Sequence, residues 1–109
     1  MKELKEILYK VKITKVIGNT SIGVSKLCID SRQIKSNNLF IAIKGNSIDG
    51  HNFINKAIEL GAKSIICESM PPEIIDGITY LEVNCSREAL SITSANYFDN
   101  PSKKLKLIG

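Results

Sequence analysis

Apolar positions along the chain change spacing from helical to strand-like and back several times. Leu4, Ile7, Leu8 and Val11 fall at helical intervals and predict a short amphipathic helix over 3–11. Val11, Ile13 and then Val16 with Ile17 predict a short strand over 12–17, and Gly18, Asn19 and Gly23 punctuate the segment after it. Residues 25–29 and 39–43 read as strands. The second, LFIAI, is apolar throughout, as in a strand covered on both faces. Phe53, Ile54, Ala57 and Ile58 share one face of a predicted helix over 53–60, which Asp49 or Asn52 is placed to cap and Gly61 to end. Strands come next over 63–67 and 78–83, with Pro71 and Pro72 between them. Ser86 is placed to cap a last helix over 87–98, whose apolar face is less regular, and Asn100-Pro101 stops it. Residues 105–108 start one more strand, which runs into Gly109 and implies a native chain that continues beyond it.

Strands alternating with helices predict an α/β fold: a small three-layer domain with a mixed, partly parallel sheet flanked by helices. A length of 109 residues and a hydrophobic content of 43% fit one such domain with its own core. No apolar run approaches the roughly 18 residues of a membrane span, and the N-terminus lacks the apolar centre of a secretory signal. Cys28, Cys67 and Cys85 form no C-x-x-C pair. Cys28 and Cys67 lie in strand-like runs and read as buried free thiols of a reducing compartment, so the expected location is the cytoplasm. Cys85 precedes a helix start, a setting that lowers a thiol pKa, but no partner base stands nearby to make it a nucleophile. The net charge of +4 comes with lysines clustered at the start (Lys2, Lys5, Lys10, Lys12, Lys15) and near the end (Lys103, Lys104, Lys106), only two arginines, Arg32 and Arg87, and no aromatic stacking pattern in either cluster. That pattern reads as a solvated surface and not as a nucleic-acid interface.

Ligands of α/β sheets bind beyond the carboxyl ends of strands. Two polar segments stand there, Asp30-Ser31-Arg32 after one strand and Gly45 to Gly50 after the next. If the two strands are parallel neighbours, both segments open on one rim. The Ser31 hydroxyl and the turn N–H groups suit a phosphate oxygen. Asn46 and Ser47 suit the edge of a base or sugar, and Ile48 offers an apolar surface to a ring. The bland alternatives are an ordinary Asp-Ser turn, an Asp30–Arg32 ion pair and an Asp49-Gly50 turn into a helix. His51, the one histidine, reads as solvated. The chain has no G-x-x-x-x-G-K-[ST] loop, no G-x-G-x-x-G fingerprint and no metal-ligand cluster. By its residues it is a binding module.

The block DSRQIKSNNLFIAIKGNSIDGHNFINKAIELGAKSIICE resembles the N-terminal domain of the Mur ligases, cytoplasmic enzymes that build the stem peptide of cell-wall peptidoglycan. The shared pattern is D-S-R, a spacer, L-F-[IV]-A, G-x-x-x-D-G-H-x-F-I, A-x-x-x-G-A and a strand ending in Glu. The tail ANYFDNPSKKLKLIG resembles the branch that adds the third residue of the peptide (MurE-type) more than the branch that adds D-alanyl-D-alanine (MurF-type). The resemblance implies that residues 1–104 form a UDP-substrate-binding N-terminal domain. Residues 105–109 would then start the linker and first strand leading into a central ATP-binding domain. The implied ligand is UDP-N-acetylmuramoyl-L-alanyl-D-glutamate. Ser31 matches the serine that contacts the nucleotide, and Ile29 with Asn46, Ser47 and Ile48 matches positions on the uridine side, with Asp30 and Arg32 supporting. Asn46 departs from the bulkier aromatic or histidine of some members. Asn38 departs from a common Gly-Asp turn, at little cost because Asn tolerates turn conformations. The implied whole enzyme uses ATP and Mg2+ to phosphorylate the γ-carboxylate of D-glutamate. The amine of meso-diaminopimelate or lysine then attacks the acyl phosphate. Central and C-terminal domains in cis supply that chemistry, and this chain alone is expected to be inactive, with no catalytic residue and no cofactor of its own. The rival readings are the D-alanyl-D-alanine branch, a stand-alone α/β nucleotide-sensing module and a lysine-based nucleic-acid binder.

Overall fold

A computed structural model describes residues 2–45 and 49–98. The chain opens with a two-residue strand β1 (Lys2–Glu3) and a single helical turn α1 (Leu4–Ile7). The predicted helix over 3–11 is therefore shorter than its apolar pattern. Leu8 is already the C-cap, and Lys10 takes a left-handed φ of 69° that ends helical geometry. Leu4, Ile7 and Leu8 are still buried, so the periodicity marked core contacts more faithfully than helix length. The N–H groups of Leu4 and Lys5 bond to the carbonyls of Ile22 and Thr20, which docks this turn on the next segment. That segment contains β3 (Gly23–Val24), the antiparallel partner of β1, which the apolar pattern did not predict.

Five longer strands form the main sheet: β2 (Ile13–Ile17), β4 (Lys26–Cys28), β5 (Asn38–Ile41), β6 (Ser64–Cys67) and β7 (Thr79–Val83). Their spatial order is β2-β7-β6-β5-β4, with β4 to β7 mutually parallel and β2 antiparallel at the edge. This is the mixed, partly parallel sheet that the element order predicted. A register shift between Ile13 and Lys15 breaks the alternation of β2.

Side chains of a strand alternate between the two faces, and the core divides accordingly. Phe40, Ile65, Cys67 and Tyr80 join one cluster with Ile54 and Ala57 of helix α2 (Ile54–Glu59). Leu39, Ile41, Ile66, Leu81 and Val83 join the other with Leu4 and Ile7 of α1 and Ala89 of helix α3 (Ser86–Phe98). The result is three layers, helix on sheet on helices. Every residue of β5 and β6 is buried, which accounts for their continuous apolar runs.

Helix α2 ends as predicted. The Gly61 N–H bonds to the Ile58 carbonyl at 3.1 Å and the Ala62 N–H to the Ala57 carbonyl at 3.0 Å, with Gly61 at φ +122°. Its start differs. A 3-10 turn (Gly50–Phe53) precedes α2, and Phe53 is 40% exposed instead of sharing the core face. Helix α3 packs through small residues, with Ser86, Ala89 and Thr93 buried. Polar bonds then fasten it. Asn96 Nδ2 donates to the carbonyls of Ile7 and Tyr9, and the Tyr97 hydroxyl donates to the Ser25 carbonyl. Asn38 is no turn residue: Asn37 takes the left-handed φ of 63°, while the buried Asn38 amide bonds to Ser25 Oγ at 3.0 Å.

The stop at Asn100-Pro101 and the predicted strand over 105–108, with the domain limit at 104, lie outside the described residues. No helix among the described residues is long and apolar enough to cross a membrane.

Candidate functional site

Four parallel strands point their carboxyl ends at the same rim, and an open cavity of about 710 Å3 lies there. The segment after β4 supplies Ile29, Asp30, Ser31 and Arg32. The segment after β5 supplies Ile43 and Gly45, and its return supplies Gly50 and Phe53. Helix α3 contributes Arg87 and Leu90 to the lining. Both polar segments singled out from the sequence therefore meet at one place, because β4 and β5 are parallel neighbours. Asn46, Ser47 and Ile48 lie outside the described residues.

Ser31 begins a 3-10 turn (Ser31–Gln33) that Asp30 caps by accepting the Arg32 N–H at 2.9 Å. The Arg32 guanidinium returns to the same carboxylate, with Nε on Oδ1 at 3.1 Å and Nη2 on Oδ2 at 2.9 Å. This fork holds the Asp30 carboxyl below its usual range, first through the side-chain bond and then through the backbone bond. The Asp30–Arg32 ion pair, one of the bland alternatives to a binding role, is thus present. Ser31 itself is 7% exposed, and its hydroxyl bonds to no described residue although the side chain lines the cavity. Ile29, half exposed at 53%, and Phe53 give the cavity an apolar wall.

Gly50 is required by close approach. A Cβ there would sit 2.7 Å from the Ile43 nitrogen and 3.0 Å from its oxygen. The Gly50 N–H bonds to that oxygen at 2.8 Å, and Lys44 bridges Asp49, so the base of this loop is pinned against the end of β5.

His51 is not solvated. Its side chain is 17% exposed, with Nδ1 2.7 Å from Asp49 Oδ1 and Nε2 accepting the Glu68 N–H at 2.8 Å. Accepting at Nε2 leaves Nδ1 as the donor to Asp49. Asp49 also accepts the His51 N–H at 3.0 Å, and these bonds, the backbone one first, lower its pKa. Glu68 continues the relay, since its Oε2 accepts the Ser86 N–H at 2.8 Å at the start of α3. Ser86 is accordingly not the cap. It is the first helical residue, its hydroxyl is buried without a partner among the described residues, and the Cys85 carbonyl accepts the first helical bond, from Ala89. A line of bonds thus runs from the loop base through β6 to the helix that carries Arg87.

Cys28 and Cys67 are buried and Cys85 is exposed. Burial pushes the Cys67 thiol up to about 11, with Glu82 adding to the shift. Among the described residues no group of three or more His, Cys, Asp or Glu side chains is placed to hold a metal.

The model of the Mur ligase family, described as its catalytic domain, matches residues 17–102. The chain belongs to the Mur ligase family. Two Mur ligase relatives bear the name UDP-N-acetylmuramoyl-L-alanyl-D-glutamate–2,6-diaminopimelate ligase. That of Bacteroides fragilis is 42% identical and that of Clostridium tetani 44%, each over 98% of this chain. The chain spans 22% of the length of these relatives. A crystal structure of MurF from Acinetobacter baumannii superposes with a TM-score of 0.74 over 86% of this chain and 20% of its own, at 23% identity, and shares the fold. The sequence singled out Ile29 to Arg32 and the loop after β5 as site residues. It missed Ile43, Phe53, Arg87 and Leu90, since spacing alone does not say which part of a helix overhangs the rim.

Proposed function

We propose that this domain holds the UDP end of UDP-N-acetylmuramoyl-L-alanyl-D-glutamate for a ligase of the MurE-type branch, which adds a diamino acid to that substrate in the cytoplasm. The observation that carries the reading is the cavity at the carboxyl rim, lined by Ser31, whose hydroxyl bonds to no described residue, and by the exposed apolar side chains of Ile29 and Phe53. A nucleotide matches both features, a flat ring for the apolar wall and phosphate oxygens for the hydroxyl and turn N–H groups. Asn46 to Ile48 complete the uridine side in this reading, and Asp30 with Arg32 hold Ser31 in place.

The names of the relatives at 42–44% identity favour the diamino acid branch. The MurF likeness in three dimensions speaks only to the shared fold. In the whole ligase ATP and Mg2+ would drive amide formation. In this reading central and C-terminal domains in cis hold those groups. This chain's own part is to bind and orient.

Calorimetric titration with UDP-N-acetylmuramoyl-L-alanyl-D-glutamate tests the proposal. Ser31→Ala removes a hydrogen bond to a charged group, worth about 1.5–3 kcal/mol, and lowers affinity about tenfold to hundredfold. Equal affinity of the variant and the parent overturns the role given to Ser31.

A further inference from the structure

The chain contains two arginines, Arg32 and Arg87, and both line the same cavity. Their surroundings differ. Arg32 is bound by both carboxylate oxygens of Asp30, at 3.1 Å from Nε and 2.9 Å from Nη2, so its charge is matched within its own turn. Arg87 makes no hydrogen bond and no ion pair with any described residue. The acids near it are otherwise engaged. Glu68 Oε2 accepts the Ser86 N–H, and Glu88 lines a separate, smaller cavity with Lys12 and Cys85. Among the described residues Arg87 therefore brings an unpaired positive charge to the cavity, whereas Arg32 is paired with Asp30.

An exposed arginine on a convex surface needs no explanation. Arg87 is exposed but lines a cavity together with Ile29, Phe53 and Leu90, and its planar fork of N–H donors matches two oxygens of a phosphate. The backbone also fixes its origin. Glu68 holds the first N–H of α3, and Glu68 is tied through His51 to the loop base at Asp49. Arg87 thus leaves the helix one residue after an anchored point and lines the same cavity as Ser31.

We propose that Arg87 is the cation that binds the diphosphate of the nucleotide ligand, together with the hydroxyl of Ser31, and that Arg32 serves the turn through Asp30. This assignment rests on the nucleotide reading of the cavity. It gives Arg87, which the sequence did not single out, a larger role than the Arg32 that it did.

The experiment is NMR titration of the whole 109-residue chain with uridine and with UDP, for the parent, Arg87→Ala and Arg87→Lys. Arg87→Ala weakens UDP binding about tenfold to hundredfold while uridine affinity stays within about twofold, and Arg87→Lys falls between because it keeps the charge without the fork. The melting temperature of Arg87→Ala stays at the parent value, because the side chain holds no described residue. If Ser31→Ala weakens UDP and Arg87→Ala does not, the assignment of Arg87 is wrong and the nucleotide reading survives. Equal losses for uridine and UDP in Arg87→Ala also overturn the assignment, since they place the side chain at the base. If the parent binds neither ligand, the nucleotide reading falls and takes the assignment with it.

Discussion

Replacing His51 dissects the relay that joins the loop base to helix α3. Asparagine keeps a nitrogen donor near the place of Nδ1 and loses the acceptor at Nε2. Glutamine keeps an acceptor near Nε2 and loses the donor to Asp49. Alanine loses both. The bond at stake in the asparagine variant is the 2.8 Å contact from the Glu68 N–H, beside a ring that is 17% exposed. Leaving such a backbone donor without a partner costs about 1–3 kcal/mol. The expected order of stability is parent, Gln, Asn, Ala, with Asn about 1–3 kcal/mol below the parent, a large share of the roughly 5–15 kcal/mol usual for a domain. Urea denaturation reads this as a lower midpoint at unchanged slope. Hydrogen exchange at Ser86 gives a second readout, since loosening Glu68 frees the amide that its carboxylate holds. Asp49 adds a pH signature. Its carboxyl is lowered from 3.8, so its contribution is full above that value and is lost as the pH falls through the folded pKa. Asn and Ala variants as stable as the parent, within about 0.5 kcal/mol, would refute the relay and return His51 to the status of a solvated side chain.

Ser86→Ala separates a cap from a helical residue. Loss of a true serine cap costs about 1 kcal/mol, whereas removing an unpartnered buried hydroxyl is neutral or stabilising, and thermal melting is expected to show the second outcome. Cys67 predicts an alkaline effect. Below pH 9.0 both states keep the proton and the thiol is neutral to stability, and from there to about 11 the unfolded chain releases it while the folded chain does not, so stability falls with rising pH. Cys67→Ala removes that part of the slope, and an identical pH profile for parent and variant would contradict the burial. In native thiol labelling Cys85 reacts first and Cys28 and Cys67 slowly.

The parallel strands were legible because burial on both faces writes itself as an unbroken apolar run, as in β5 and β6. The end of α2 was legible because Gly61 adopts a φ that other residues resist. Helix α1 was overestimated because Val11 packs against the same cluster as Leu4 and Ile7 without being helical. Helix α3 looked irregular because its inner face is made of Ser86, Ala89 and Thr93 and is fastened by Asn96 and Tyr97. At the site, Asp30 to Arg32 could be read as a turn beyond a strand. His51 could not be read as a strut, since its partner is a backbone N–H 17 positions away with no side-chain signature. Phe53 and Arg87 escaped notice for a related reason, because only the folded rim shows which residues of the neighbouring turn and helix overhang the cavity.

The most direct test of the central claim is a 15N–1H NMR titration of the chain with UDP, repeated for Ser31→Ala. Saturable shifts centred on Ile29 to Arg32, Gly45 to Gly50 and the start of α3 are expected, weakened about tenfold to hundredfold by the substitution. Saturable shifts centred elsewhere on the domain, or a titration that Ser31→Ala leaves unchanged, would contradict it.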